Sequence, residues 1–227
     1  MLPSQTVENY LKSIYLAQAE LQDESALVPM GQLASALGVV PGTATTMVKT
    51  LADSGLVHYE PYMGVRLTAA GEKLASLVLR RHRLIELFLV QVLGMSWAEV
   101  HDEAERLEHA VSEQLIDRID EMLGRPSVDP HGDPIPTAEG TIATPAYLDL
   151  LSAPIGVPLE VTRVIDQQAE FLRFAEQHGL TPGSLVTIDA RDAISDAVEL
   201  TAGTGQRKTI GARAASKILV QRAGSAT

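Results

Sequence analysis

The chain has 227 residues, with 29 Asp and Glu against 18 Lys and Arg for a formal net charge of -11 at pH 7, 45% hydrophobic residues and no cysteine. The length exceeds the ordinary domain of about 100 to 150 residues, so two or three domains are expected, and the composition excludes a disordered or fibrous chain. The missing cysteines exclude disulfides, thiolate metal sites and cysteine nucleophiles together, which leaves nitrogen and oxygen donors for any metal.

In chain order, Val7, Tyr10, Leu11, Ile14, Tyr15 and Leu16 recur at three-and-four spacing and predict a helix over 7–19. Pro29 opens a short helix over 30–37 that Gly38 stops, and residues 39–42 lead into a second helix over 43–54 stopped by Gly55. Two short helices joined by a tight turn make a helix-turn-helix. The β-prone runs of 56–68 around Pro61 and Gly64 add a hairpin, or wing.

The helical period returns at Ala69 and holds to Leu93, and Ser96 with Glu99 at the capping-box position predicts a second long helix running to about Leu123. Pro126, Pro130, Pro134, Pro136, Pro145, Pro154 and Pro158 rule out continuous helix after it, leaving an irregular connector with a short helix at 146–151. Strands are expected at 159–166, 185–190, 197–201, 207–211 and 217–221, with a helix at 168–178, giving a small half-open barrel. No apolar run approaches the ~18 residues of a membrane span and Met1 to Glu8 do not read as a signal peptide, so a cytoplasmic protein with no membrane partner is expected.

The net charge conceals an asymmetry. Residues 1–83 hold seven bases and seven acids, whereas 99–121 alone hold nine acids against Arg106 and Arg118. The helix-turn-helix is therefore free of the acidic excess that would repel phosphates. The second helix of such a unit reads the DNA major groove with its first turns, and Thr43, Thr45, Thr46 and Lys49 offer hydroxyls, methyls and one cation there. Arg66 on the wing suits the phosphate backbone, and Tyr59 and Tyr62 serve either contact with backbone or strand packing. One copy of so weakly basic a surface binds poorly at physiological salt, so a dimer on double-stranded DNA is expected.

The long helices carry a second chemistry. His82 and Glu86 are four apart, and His101, Glu105, Glu108 and His109 fall at offsets of zero, four, seven and eight, on one face of a single helix. Imidazoles and carboxylates in a stripe are costly to bury unless a divalent cation neutralises them. Over the ~12 Å from His101 to His109 one ion cannot hold all four, so two sites are implied. His58, His131 and His178 stand alone and read as surface or packing residues. A dinuclear metal-dependent hydrolase is the competing reading, although no activated nucleophile or substrate loop is visible nearby. A metal-free docking face is a third.

Thr6, Val7, Glu8, Asn9, Tyr10 and Leu11; Val40, Pro41 and Gly42 with Met47 and Val48; Arg81, His82, Arg83, Leu84, Ile85 and Glu86; the whole of 100–109; and Gly132, Asp133, Pro134, Ile135 and Pro136 resemble the diphtheria toxin repressor family of metal-dependent transcriptional regulators. The resemblance covers most of the chain. It implies a mainly α protein with small β parts: an N-terminal winged helix-turn-helix over 1–72, a helical dimerisation domain over 73–140, a linker over 141–157 and a C-terminal SH3-like small β-barrel over 158–227. It assigns His82, Glu86 and His101 to an ancillary metal site and Glu105, Glu108 and His109 with Asn9 to a primary one, with further ligands from the SH3-like domain near Gln168 and Glu170. Glu105 stands where the iron branch has cysteine and the manganese branch glutamate, so Mn²⁺ is the expected cofactor and Fe²⁺ the alternative. Asn9 offers only a neutral carbonyl oxygen, and Lys12 replaces a ligand carboxylate of the shorter manganese regulators, against their closely bridged ion pair. The implied function is a non-enzymatic homodimer that represses metal-uptake genes at a palindromic operator and takes no small-molecule substrate.

Overall fold

The structure is a computed structural model that describes residues 4–19, 21, 26–143, 145–203 and 205–224. The chain forms two compact units, Met1–His82 with Pro136–Ile142, and Arg83–Ile135 with Ala143–Thr227. No helix among the described residues is long and apolar enough to cross a membrane.

The first unit contains α1 (Gln5–Ala19), α2 (Met30–Ala36), α3 (Pro41–Asp53), the antiparallel pair β1 (Val57–Glu60) and β2 (Gly64–Leu67), and the first turns of α4 (Ala69–Gln91). Leu11, Ile14, Leu33, Ala44, Val48, Leu51 and Val65 fill one core. α3 starts two residues earlier than expected because Pro41, with its fixed φ and no N–H to satisfy, occupies the first helical position. The hairpin turns at Tyr62, which takes a positive φ of 68° and stands fully in solvent. A buried ion pair, Arg81 Nη2 to Glu8 Oε1 at 2.6 Å, joins α4 to α1.

The second unit holds the rest of α4, then α5 (Val100–Leu107), α6 (Glu113–Met122), β3 (Leu148–Asp149), β4 (Pro158–Val164), α7 (Ala169–His178), β5 (Leu185–Asp192), β6 (Ala197–Ala202), β7 (Arg207–Gly211), α8 (Ala212–Ala215) and β8 (Ile218–Arg222). Its six strands form one antiparallel sheet in the order β3-β8-β4-β5-β6-β7. Leu84, Ile85, Val100, Ala104, Ile116 and Ile119 pack the helices together. Leu159, Val161, Leu172, Ile188, Leu200 and Ile218 fill the core under the sheet, and Trp97 and Ala98, just ahead of α5, belong to it.

Three expectations change. The single helix from Ser96 to about Leu123 is two helices: Glu108 closes α5, residues 109–111 turn, and the Ser112 side chain accepts a 3.2 Å hydrogen bond from the Leu115 N–H to start α6 afresh. Ser96 accepts instead from Ala98 N–H at 3.3 Å in the turn before α5, whose N-cap is Glu99. The segment 146–151 forms β3 and a turn rather than a helix, its Leu148 and Asp149 pairing with Val220 and Leu219. The short α8 carried no periodic signal.

The loop between α6 and β3 is docked on the sheet. The Val164 N–H donates to the His131 carbonyl at 2.9 Å, and Gly132, at φ +86°, lies against the Thr162 carbonyl so closely that a Cβ would collide with it. A side chain there meets both an unfavourable backbone conformation and an immovable carbonyl. Gly132→Ala is expected to cost roughly 2 kcal/mol, lowering the midpoint of thermal unfolding by about 4–8 °C for a chain of this size. An unchanged melting curve by circular dichroism would show that the loop does not sit on β4.

Candidate metal centre

α4 supplies the first two donors. His82 and Glu86 occupy consecutive turns of one continuous helix, so their proximity is a property of the helix itself. α5 supplies the third: His101 Nδ1 is 3.2 Å from Glu86 Oε1, and its Nε2 is 3.7 Å from Glu105 Oε1. The ligand atoms of His82, Glu86 and His101 all lie within 4.8 Å of one another. His82 and Glu86 are buried, while the His101 side chain is 41% exposed.

A second group, unforeseen in the sequence, shares Glu86. The ligand atoms of Glu86, Asp129 and His131 also lie within 4.8 Å of one another, all three residues being buried. His131 therefore does not stand alone. Its ring stacks on Trp97 with centroids 5.6 Å apart, and its Nε2 lies 2.8 Å from the Trp97 carbonyl oxygen. A carbonyl only accepts, so Nε2 carries a proton and donates, and Nδ1 is the ring nitrogen that faces inward. Nδ1 has no hydrogen-bond partner among the described residues. It faces Glu86 Oε2 at 3.8 Å and Asp129 Oδ1 at 3.9 Å. Both spacings are too long for hydrogen bonds, so the buried Nδ1 is left without the polar partner a dry interior demands. They suit three donors around one divalent cation, and the residues present fit such an ion.

Asp129 also builds the loop. Its Oδ1 accepts from the N–H groups of His131 and Asp133, at 2.8 and 2.9 Å. Its Oδ2 lies 3.7 Å from Arg83 Nε. Burial pushes the Asp129 carboxyl well above its ordinary range, the negative Asp133 and Glu86 push the same way, and Arg83 and the Asp133 N–H pull against them. Asp133 anchors the other side of the loop by pairing with Arg163 of β4 and with the Gln167 amide.

The remaining expected ligands are placed less uniformly. Glu108 is buried and pairs with His109, whose Nε2 is 3.2 Å from Glu108 Oε1, whereas Glu105 is exposed at the opposite end of its contact with His101. α5 ends at Leu107 with Glu108 as its C-cap, so His109 follows the helix, and Glu105, Glu108 and His109 are not one of the groups of ligand atoms within 4.8 Å found among the described residues. Asn9, partly buried, is on α1 of the other unit. Gln168 caps α7 and lines a cavity of about 490 Å³ together with His101, Glu99, Asp102 and Gln167. Glu170, in the first turn of α7, is exposed and is not among the residues lining that cavity.

On the DNA-reading side Thr43, Thr46 and Lys49 are exposed along α3, with Thr45 partly so, and Arg66 points outward from β2. The Thr45 and Thr46 hydroxyls donate back to the Pro41 and Gly42 carbonyls, each at 2.9 Å. They keep accepting lone pairs and outward methyls but spend their protons on the helix. Tyr59 packs into the core of its unit while Tyr62 is exposed at the wing tip.

A winged reading head, an acidic helical segment and buried donor groups free of sulfur define a metal-responsive DNA-binding protein. Residues 3–65 match the N-terminal DNA binding domain of the iron dependent repressors, 68–137 their metal binding and dimerisation domain, and 148–222 the FeoA domain. The iron-dependent repressor IdeR of Mycobacterium leprae (strain TN) is 30% identical over 200 residues, 83% of this chain and 85% of that protein. A manganese-dependent transcriptional repressor solved in complex with manganese superposes with a TM-score of 0.85 at 39% identity, over 95% of this chain and 99% of that one. ScaR solved with bound Zn²⁺ gives 0.76 at 32% identity, over 97% and 100%. The chain belongs to the iron-dependent, or diphtheria toxin, repressor family of metal-dependent transcriptional repressors. That family is not one of enzymes, and the hydrolase alternative falls with it.

The sign of the Asp129 shift gives a stability prediction. An acid whose folded-state pKa is raised opposes folding when ionised; the opposition is absent below the unfolded value near 3.8 and complete once pH passes the folded value. Metal-free protein is therefore expected to melt higher as pH falls from neutrality towards the onset of general acid unfolding. Asp129→Asn, whose amide oxygen still accepts the two loop N–H groups, should raise the metal-free melting temperature at pH 7 and flatten that rise. It should also remove most of the stabilisation given by Mn²⁺. A variant that melts as wild type does, with and without metal, would contradict the placement of Asp129.

Proposed function

We propose that the protein is a manganese-responsive repressor that binds a palindromic operator as a homodimer in the cytoplasm and shuts off metal-uptake genes when metal is plentiful. The observation that carries the metal reading is the buried His131 Nδ1, which has no hydrogen-bond partner among the described residues and lies between Glu86 and Asp129. Imidazole with hard carboxylate oxygen and no sulfur gives up the preference that thiolates confer on copper, zinc and iron and suits Mn²⁺. Mn²⁺ is also the weakest binder of the divalent series, so selectivity comes from site geometry or from cellular supply. Fe²⁺ is the second choice, favoured by the iron-dependent relatives and by the three imidazoles of the two donor groups.

Within this reading the reading head spans about 1–72 and the dimerisation and metal-binding part about 73–140, with the SH3-like part after it. His82, Glu86 and His101 form the ancillary site, extended by Asp129 and His131, with Gln168 and Glu170 as outer candidates from the SH3-like part. Glu105, Glu108 and His109 are the activating donors, and Asn9 is the donor the reading head offers to them. In the metal-free chain the acidic donors repel one another and leave the reading heads unrestrained. Restraint by a few kcal/mol is enough to change operator occupancy strongly. In the dimer two copies of α3 then stand about 34 Å apart, one turn of B-DNA, with Thr43, Thr45 and Thr46 towards bases and Lys49 and Arg66 towards phosphates.

A gel-shift titration of a palindromic uptake-gene promoter, run in parallel with Mn²⁺, Fe²⁺, Zn²⁺ and chelator, tests the proposal. Mn²⁺ is expected to support the shift at the lowest concentration and chelator to abolish it. Glu108→Ala should need about 10- to 100-fold more Mn²⁺. Lys49→Ala should weaken binding evenly across sequences and lower the salt slope by about one per site. Operator binding that ignores chelator, or a Glu108→Ala protein with the wild-type Mn²⁺ requirement, would overturn it.

A further inference from the structure

The chain crosses between its two units three times, within α4 at 82–83, at 135–136 and at 142–143. Residues 136–142 therefore belong to the unit that carries the reading head, although the residues on either side of them belong to the other. The Lys73 ammonium of α4 donates to the Glu139 carbonyl in this segment. We propose that 136–142 is a latch on the reading head, seated by Lys73 and Gly140, and that these two are positioning residues that hold the head in the orientation competent for operator DNA. The proposal rests on the metal-dependent operator-binding reading above and adds to it a restraint made without metal.

The segment is a closed turn. The Thr137 N–H donates to the Thr141 carbonyl at 2.8 Å, the Gly140 N–H to the Thr137 carbonyl at 2.9 Å, and the Thr141 N–H to Thr137 Oγ1 at 3.3 Å. Gly140 takes a φ of +80° and lies so close to α4 that a Cβ would collide with Ser76 Oγ and press on Lys73 Cδ at 3.0 Å. Ser76 cannot simply move aside, because it is 1% exposed and its hydroxyl donates to the Lys73 carbonyl at 2.9 Å. Glycine is thus required twice, by conformation and by contact. The Glu139 carboxylate is held below its ordinary range, first by the Thr137 hydroxyl and then by its own N–H, with the charges of Lys73 and Arg80 adding to the effect.

A body attached through one helix can turn about that helix, and a second attachment removes part of the freedom. The latch is also fixed at its upstream end. The Ile135 N–H donates to the Ser127 carbonyl at 2.8 Å, Arg83 donates to the Pro134 carbonyl, and Pro136 is itself buried, so no slack separates the docked loop from the latch. Freedom already removed is not lost again when the head settles on DNA, so the latch favours operator binding without changing any metal donor. Neither Lys73 nor Gly140 belongs to the apolar core of its unit, and the unit keeps its packing when the latch is released.

Hydrogen exchange, calorimetric titration with Mn²⁺, and operator binding by fluorescence anisotropy at saturating Mn²⁺ test this on the full chain. Lys73→Ala removes the donor and Gly140→Val the seat. In both, the amides of 140 and 141 are expected to exchange faster, the number and affinity of bound Mn²⁺ to stay as in wild type, and operator affinity to fall roughly 3- to 30-fold. Lys73→Arg, which can still donate to the carbonyl, should restore most of the loss. Wild-type operator affinity in a variant whose latch amides exchange freely would overturn the proposal, as would a parallel loss of Mn²⁺ affinity. Latch amides that stay protected in both variants would overturn it too, because Lys73 and Gly140 would not be what seats the segment. So would a Lys73→Ala defect that lowers the salt slope by about one per site while Gly140→Val binds normally, since Lys73 would then be a phosphate contact. A wild-type chain whose operator binding ignores Mn²⁺ would instead defeat the metal-dependent reading, so the two failures are distinct.

Discussion

The candidate metal centre depends on one hydrogen bond, from His131 Nε2 to the Trp97 carbonyl. That bond fixes the orientation of the ring, and so turns Nδ1 towards Glu86 and Asp129. The carbonyl is itself immobile because Trp97 and Ala98 are packed into the core under the β-sheet. The ring is held from the other side by the loop, through Asp129 Oδ1, the close approach of Gly132 to Thr162, and Asp133 paired with Arg163. The C-terminal sheet thus supports the loop that carries Asp129 and His131. Metal affinity and docking of the sheet are linked through the same five-residue loop.

This arrangement also accounts for the buried charge. Glu86, Asp129 and Asp133 lie in a dry interior, and Arg83 and Arg163 answer part of that negative charge. Burial of carboxylates is costly in general, and burial pushes the Asp129 carboxyl well above its ordinary range. The reading head contributes little affinity of its own. Thr45 and Thr46 have committed their hydroxyl protons to the helix backbone, and Lys49 and Arg66 are its exposed cations on α3 and β2. Weak contacts doubled across a dimer allow occupancy to follow geometry, and geometry to follow metal.

Much of this was legible in the sequence because the signals were local. Three-and-four spacing locates α1, α3 and α4, and β-prone runs between glycines and prolines locate β1, β2 and β4 to β8. His82 with Glu86 was readable as one turn of one helix. What failed was non-local or depended on competition between caps. Ser112 caps a new helix and breaks the expected one, so the stripe from His101 to His109 does not lie on a single helix. His131 was passed over because its partners are Glu86, 45 positions back, and a peptide carbonyl of Trp97, which has no side-chain signature. The available hint was Asp129, His131 and Asp133 alternating around Gly132, a pattern that closes a tight loop with donors turned inward. β3, two residues long, pairs with β8 near the opposite end of the sheet domain and leaves no periodic trace.

The most direct measurement is anomalous diffraction at the manganese absorption edge from crystals of the full chain grown with Mn²⁺. The account predicts strong anomalous density at bonding distance from Glu86, Asp129 and His131 Nδ1, with His131 Nε2 still donating to Trp97. Density absent from that pocket, with His131 rotated so that Nδ1 finds a protein donor, would contradict it.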